Sequence, residues 1–259
     1  MNAARHVTEL LDNNAADASA PGAAALTTID WDLGRRAVPY LEAWEEQRRQ
    51  HAQVVAGEPD RMILLEHEAV YTAGKRTATW DRPVDDTPVV DVDRGGRITW
   101  HGPGQLVGYP ILRLAEPIDV VRYVRQLEQG VMDACAAFGL DTIRVADRSG
   151  VWLPATGDRR ERKICAIGVR VAKGVTMHGF ALNCDPDLTA YERIVPCGID
   201  DADITSLTSE LGHAVTIADV VPTVTQCLRD ALIPVRLATA HHRAPTSASD
   251  QNVLTREPV

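Results

Sequence analysis

Lys163–Asn183 reads KICAIGVRVAKGVTMHGFALN. The runs KICAIGVRV and VTMHGFALN are rich in β-branched and apolar residues and flank Ala172, Lys173 and Gly174, which predicts two strands joined in a hairpin. Outward from this pair, Leu26–Trp31, Arg61–His67 (RMILLEH), Thr142–Val145 and Val151–Leu153 read as further strands. Helices are expected from Pro39 to about Val55, over 118–138, over roughly 204–211 and over 217–231. The second is the clearest, with Val120, Val124, Leu127, Val131, Cys135 and Phe138 at helical spacing and Gly139 as a stop. In the last, Pro222 falls in the first turns, where a missing N–H does least harm. Strands and helices do not alternate regularly. The pattern therefore predicts an α/β protein of the α+β type, a mixed β-sheet flanked by helices, rather than a doubly wound parallel sheet.

The chain has 259 residues, a length for one large domain. Residues 1–25 and 237–259 are polar or Ala-rich without sustained periodicity. They bury too little apolar surface to offset chain entropy and are expected to be flexible tails around a single domain over 26–236. Hydrophobic residues make up 45% and charged residues 24%, and no apolar run is long enough to span a bilayer. A net charge of −9 disfavours a chain-wide attraction to nucleic acid or anionic lipid. The N-terminus lacks the pattern of a secretory signal. The five cysteines are odd in number and form no C-x-x-C pair, which argues against a disulfide framework or structural zinc. A cytoplasmic protein with reduced thiols is expected.

Chemistry concentrates in two stretches. Asp93–Leu114 (DRGGRITWHGPGQLVGYPILRL) packs five glycines into the fourteen positions 95–108, a density that lets main chain turn sharply and approach a bound group closely. It lacks the G-x-x-x-x-G-K-[ST] and G-x-G-x-x-G patterns of phosphate and dinucleotide loops, and tight turns between strands would explain it equally. The second stretch, Arg162–Ile199, holds Lys163, His178 and the turn Val195-Pro196-Cys197-Gly198-Ile199. Cys197 between Pro and Gly is either a small buried turn residue or an exposed nucleophile. Lys163 is either a solvated lysine or the cation that holds such a thiol in its reactive thiolate form. Cys197 with His178 is the competing dyad. The eight histidines show no metal-ligand spacing, so no metal site is expected.

The longest motif, Arg94-Gly95-Gly96-x-x-Thr99-x-His101-Gly102-Pro103-Gly104-Gln105-Leu106-Val107-x-Tyr109-Pro110, resembles the signature of the lipoyl(octanoyl) transferases. The resemblance continues in Leu65-Glu66-His67, Val70-Tyr71-Thr72-x-Gly74, Gly150-Val151-Trp152, Lys163-Ile164, His178-Gly179-x-Ala181-Leu182-Asn183, Pro196-Cys197-Gly198-Ile199 and Thr205-Ser206-Leu207, and covers about residues 28–231. It implies the fold of biotin and lipoate ligase catalytic domains. It also implies transfer of an octanoyl group from acyl carrier protein to a target lysine, the first step of endogenous protein lipoylation. Cys197 matches the family's acyl-thioester nucleophile, and Lys163 matches the lysine that lowers its pKa and serves as acid and base. Arg94, Gly95, Gly96, Arg97, Ile98, Thr99, Trp100 and His101 match one substrate-binding segment. Ala166, Ile167 and Gly168 match a second, and Gly179, Phe180 and Ala181 a third. The acceptors implied are lipoyl domains of 2-oxo acid dehydrogenase E2 subunits and the glycine cleavage H protein, served by a monomer that needs neither ATP nor a metal.

The basic residues Arg159, Arg160, Arg162 and Arg170 are the sequence's candidate for docking an acidic carrier. An ATP-dependent lipoate or biotin ligase of the same fold is the main alternative, and a non-catalytic acyl-carrier-binding regulator is a second. A papain-like hydrolase lacks its local cysteine signature here.

Overall fold

Strands that are apolar on both sides need cover on both faces, and this requirement organises the chain. The computed structural model describes residues 26–83, 87–194 and 202–237. Cys197 and, apart from Leu237, both expected tails lie outside the described residues. The main sheet is built from β1 (Thr27–Asp30), β2 (Arg61–Leu65), β6 (Gln105–Ile111), β7 (Ile143–Val145), β8 (Arg148–Leu153), β9 (Arg162–Ala172) and β10 (Val175–Asn183) in the order β1-β2-β6-β10-β9-β8-β7, with β11 (Asp203–Ile204) beside β9. The β1–β2 and β9–β11 pairs are parallel and the rest antiparallel, so the sheet is mixed. A small sheet sets β3 (Val70–Ala73) between β4 (Val89–Asp91) and β5 (Thr99–His101).

Alternation along the central strands assigns the two faces. Ile63, Leu65, Val107, Tyr109, Ile111 and Ala181 pack with Ala43 and Val54 of α1 (Tyr40–Val55). Met62, Leu64, Leu106, Phe180 and Leu182 pack on the other face with α2 (Val120–Ala137) and α4 (Ile217–Leu232). In α4 the buried stripe is Ile217, Val220, Val224, Leu228 and Leu232, each side chain contributing about 1.5–3 kcal/mol on burial. Capping fits the sequence: Asp119 accepts the Arg122 N–H at 2.9 Å ahead of α2, and Thr216 and Asp219 cap α4 reciprocally.

The sequence reading lacks the small sheet β3–β5, and the structure differs from it in three further places. The hairpin loop is two residues, not three: Ala172 pairs with Val175, while Lys173 (φ 52°) and Gly174 (φ 74°) both adopt the left-handed conformation of a type I′ turn. The helix expected over 204–211 is confined to α3 (Leu207–Leu211), because residues 203–204 pair with β9 instead. Finally, β6 is a fully buried central strand where the sequence suggested only loops and turns. Pro110 is tolerated there because the β6–β10 ladder stops at Gly108 opposite Phe180. Beyond it Thr176 bridges the strands: its hydroxyl donates to the Pro110 carbonyl at 2.7 Å and accepts the Leu112 N–H at 2.9 Å. His178, at φ 57°, lies in this lapse, an uncommon backbone for a residue with a side chain.

Candidate active site

A cavity of about 310 Å³ sits over β9 and β10. Ala166–Gly168 and Gly179–Ala181 line it from these two strands, and Arg94, Gly96, Arg97, Thr99 and His101 line it from the glycine-rich chain. Asp147, in the turn between β7 and β8, the first two residues of β8 (Arg148 and Ser149) and Lys163 also face it, with Arg76, Tyr40, Val107, Tyr109 and His178. All three predicted substrate-binding segments therefore contribute to one cavity. Gly95, Ile98 and Trp100 do not line it. Gly95 donates its N–H to the Val169 carbonyl at 2.9 Å, and Ile98 and Trp100 are buried with Tyr71, Tyr191 and Ile194. The sequence reading missed Tyr40, Arg76 and Asp147–Ser149. Val107 and Tyr109 stood in its quoted motifs without an assigned place in the site, and His178, its alternative partner for Cys197, lines the cavity.

Close approach of backbones explains two glycines of the wall. A Cβ on Gly74 would lie 2.5 Å from the Gly96 carbonyl oxygen, and one on Gly168 would lie 3.0 Å from that of Gly95. The buried Arg94 guanidinium fills the space between them. It donates to the carbonyls of Thr72 (2.9 Å), Gly95 (3.1 Å) and Arg97 (2.8 Å) and to the Thr72 hydroxyl (2.9 Å). Arg94 thus organises the loop that forms the cavity wall, chiefly through bonds to main-chain carbonyls.

Lys163 is the second residue of β9 and is 5% exposed. Its Nζ lies 4.6 Å from the centre of the Trp152 ring, a cation–π contact worth about 0.5–2 kcal/mol. Its stem passes over Gly150, whose φ of 125° suits glycine and whose Cβ, if present, would stand 3.2 Å from Lys163 Cε and 2.5 Å from the Cys165 carbonyl oxygen. The buried Glu128 carboxylate accepts the Gly150 N–H at 3.1 Å while pairing with Arg125 and Arg144, so α2 fixes the strand beneath the lysine. No carboxylate pairs with Lys163 among the described residues. Beyond Cys197, the chain returns to pair Asp203 and Ile204 with Arg162 and Lys163.

The other four cysteines are poor nucleophiles. Burial pushes the thiols of Cys135 and Cys184 up to about 12, Cys165 well above its ordinary value and Cys227 upward. Cys165 lies two residues from Lys163, but burial outweighs the ammonium there.

Three histidines cluster behind and beside the cavity. His67 Nδ1–H donates to the Val38 carbonyl (2.8 Å), leaving Nε2 to accept the Tyr109 hydroxyl at 2.6 Å. His101 Nδ1–H donates to Gln105 Oε1 (2.8 Å), whose amide in turn donates to Asn183 and Tyr191, each at 2.9 Å. His178 Nε2–H donates to Asp93 at 2.7 Å. Burial lowers all three pKa values, and outweighs the Asp93 carboxylate at His178. His67 is lowered from 6.5 to about 4. The folded state therefore favours neutral His67, and stability falls as pH drops from about 6.5 to about 4, where the unfolded chain takes up the proton first. This one site is expected to remove about 3 kcal/mol across that window. Denaturant unfolding of wild type and His67→Phe across the window checks it. Parallel losses in both proteins would remove His67 as the source.

The proposed carrier-docking arginines do not form one patch. Arg162 is buried against Glu210 at 2.9 Å, and Arg159 pairs with the same carboxylate at 2.7 Å. Arg170 stands eight residues along β9 from Arg162, about 26 Å away, and pairs with Asp93. Arg159 and Arg162 of the run are drawn into an ion-pair network because Glu210, on α3, supplies their counter-charge.

Among the described residues, no helix is long and apolar enough to cross a membrane, and no group of three or more His, Cys, Asp or Glu side chains could hold a metal. Residues 39–229 match the lipoyl protein ligase A/B catalytic domain. An octanoyltransferase of Salinispora tropica is 64% identical over 210 residues, covering 80% of this chain and 99% of that protein. One of Mycobacterium avium is 59% identical over 202 residues, covering 77% and 87%. The fold resembles an archaeal bipartite lipoate protein ligase from Thermoplasma acidophilum, with a TM-score of 0.58 at 15% identity over 82% of this chain and 84% of that one. It also resembles lipoate-protein ligase A bound with ATP, with a TM-score of 0.52 at 14% identity over 82% and 85%. At such identities the likeness is one of fold.

Proposed function

The chain belongs to the lipoyl protein ligase A/B catalytic-domain family and transfers octanoyl groups to lipoyl domains in protein lipoylation, and from that premise we propose a ping-pong route through Cys197 with acyl carrier protein as donor. The observation that carries the route is the buried ammonium of Lys163, which faces the cavity without a carboxylate partner among the described residues. Such a cation favours an anion brought close to it. The other four thiols are held in their protonated form by burial. Cys197 lies three residues past Ile194 and five before Ala202, on the segment whose return strand pairs with Lys163 itself.

The Cys197 thiolate attacks the carbonyl carbon of the octanoyl thioester. The carbon–sulfur bond to the carrier breaks, and the departing sulfur takes a proton from the Lys163 ammonium. Octanoyl-Cys197 and a neutral Lys163 remain. The acceptor lysine sheds one proton to solvent and attacks the new thioester. Lys163 takes the second proton as the carbon–nitrogen bond forms, and the Cys197 thiolate is released. A thioester is already activated towards an amine, so the route uses neither ATP nor a metal.

Intact-mass measurement after mixing with octanoyl-carrier tests the route. One octanoyl group, mapped to the Cys197 peptide and discharged onto a lipoyl domain without ATP, is expected. Product formed only from free octanoate and ATP would replace this route by the ligase alternative.

A further inference from the structure

We propose that the loop Gly74–Arg82 is the docking surface for the acidic carrier and its phosphate-bearing arm, with Lys75, Arg76 and Trp80 as its contacts. This inference rests on the carrier-donor reading above and deepens it.

The cavity is a positive site in a negative chain. Its lining holds Arg76, Arg94, Arg97, Arg148 and Lys163 against the single carboxylate of Asp147, although the whole protein carries a net charge of −9. Such a local concentration steers anions. The two reaction partners differ in this respect. The donor arm carries a phosphodiester and extends from an acidic protein, whereas the acceptor presents a lysine, which is cationic in water. The cations at the mouth attract the first and repel the second.

The loop beside this mouth has the composition of an interface. Trp80 is 76% exposed, whereas Trp100 and Trp152 are buried. Tryptophan and arginine are the side chains most enriched among residues that dominate binding energy. The loop is also held in place. The N–H groups of Lys75 and Arg76 donate to the carbonyls of Arg94 (3.1 Å) and Gly96 (3.0 Å), which ties them to the glycine-rich wall. On the far side of Trp80, the fully buried Asp81 accepts the Ala78 N–H at 2.8 Å and pairs with Arg97 at 3.2 Å. Trp80 is therefore presented on a fixed turn adjoining the cavity, which lowers the ordering cost of binding. Lys75 and Arg76 are exposed and meet no carboxylate among the described residues.

The test compares wild type with Lys75→Glu and Trp80→Ala in the full chain, neither residue lining the cavity. With octanoyl-carrier as donor at low salt, kcat/KM is expected to fall about tenfold in each variant, and the wild-type value to fall steeply with added salt. With octanoyl-pantetheine, which lacks both phosphate and carrier, the rates of variants and wild type should coincide, and kcat/KM for the lipoyl-domain acceptor should not change. Unchanged carrier kcat/KM in both variants overturns the proposal. So does a loss confined to the acceptor, which would assign this surface to the lipoyl domain. If wild type itself takes no octanoyl group from the carrier, the donor reading fails and the docking surface fails with it.

Discussion

Lys163→Met is expected to slow octanoylation of the enzyme about 10³-fold, within the range of about 10²–10⁴ contributed by a positioned acid or base. Methionine keeps most of the stem volume over Gly150 and beside Trp152 while removing the charge. The fold should tolerate this change, because it deletes a buried cation that no carboxylate offsets among the described residues. Stability should therefore be equal or higher, and the loss should fall on the chemistry. The pH profile separates the two roles of the lysine. If it holds Cys197 as a thiolate, the variant's residual acylation should rise with pH towards the ordinary thiol value of about 8.5. Proton donation to the leaving sulfur would still be missing at high pH. Single-turnover mass measurements across pH read both effects. Near-wild-type rates at neutral pH would transfer the acid–base role to another group, and His178, which faces the same cavity with Asp93 behind it, is the first candidate.

What could be read along the chain was local. The β9–β10 pair was legible because its apolar runs and its Lys173-Gly174 turn are contiguous, and α2 and α4 were legible because their stripes recur within a few turns. The central strand β6 was not, because Gly108 and Pro110 break the strand pattern. Their tolerance depends on Phe180, whose ring occupies the space of a Gly108 side chain, and on Thr176, which bridges where the ladder stops. The same distinction holds in the site. The glycine-rich wall announced itself by composition. Tyr40 and Asp147–Ser149 come from elements far away in sequence and join the cavity only through the fold. Arg162 looked like a solvated basic residue because its partner, Glu210, stands 48 positions away.

Gly179→Val is expected to destabilise the protein by about 5 kcal/mol, beyond the usual cost of overpacking, because the obstruction is main chain. A Cβ at this position would lie 2.2 Å from the Gly108 carbonyl oxygen and 2.7 Å from Pro110 Cδ, so β6 and β10 would have to separate at the centre of the sheet. Denaturant unfolding should show the loss, with a fall in melting temperature of about 10–20 °C for a chain of this size. Gly95→Ala is the comparison, since Gly95 also stands in a motif of the family resemblance and its substitution adds only the Cβ. Its Cβ would come no nearer than 3.4 Å to the Val169 carbonyl oxygen, and its backbone is not in the left-handed region. That substitution should cost no more than about 1 kcal/mol. Both glycines stand in motifs of the family resemblance, yet only at Gly179 would an added Cβ run into main chain of the neighbouring strand. Equal stability losses in the two variants would mean that the β6–β10 contact does not set the requirement. A Gly179→Val protein of normal stability and activity would show that the strands can part without disturbing the site.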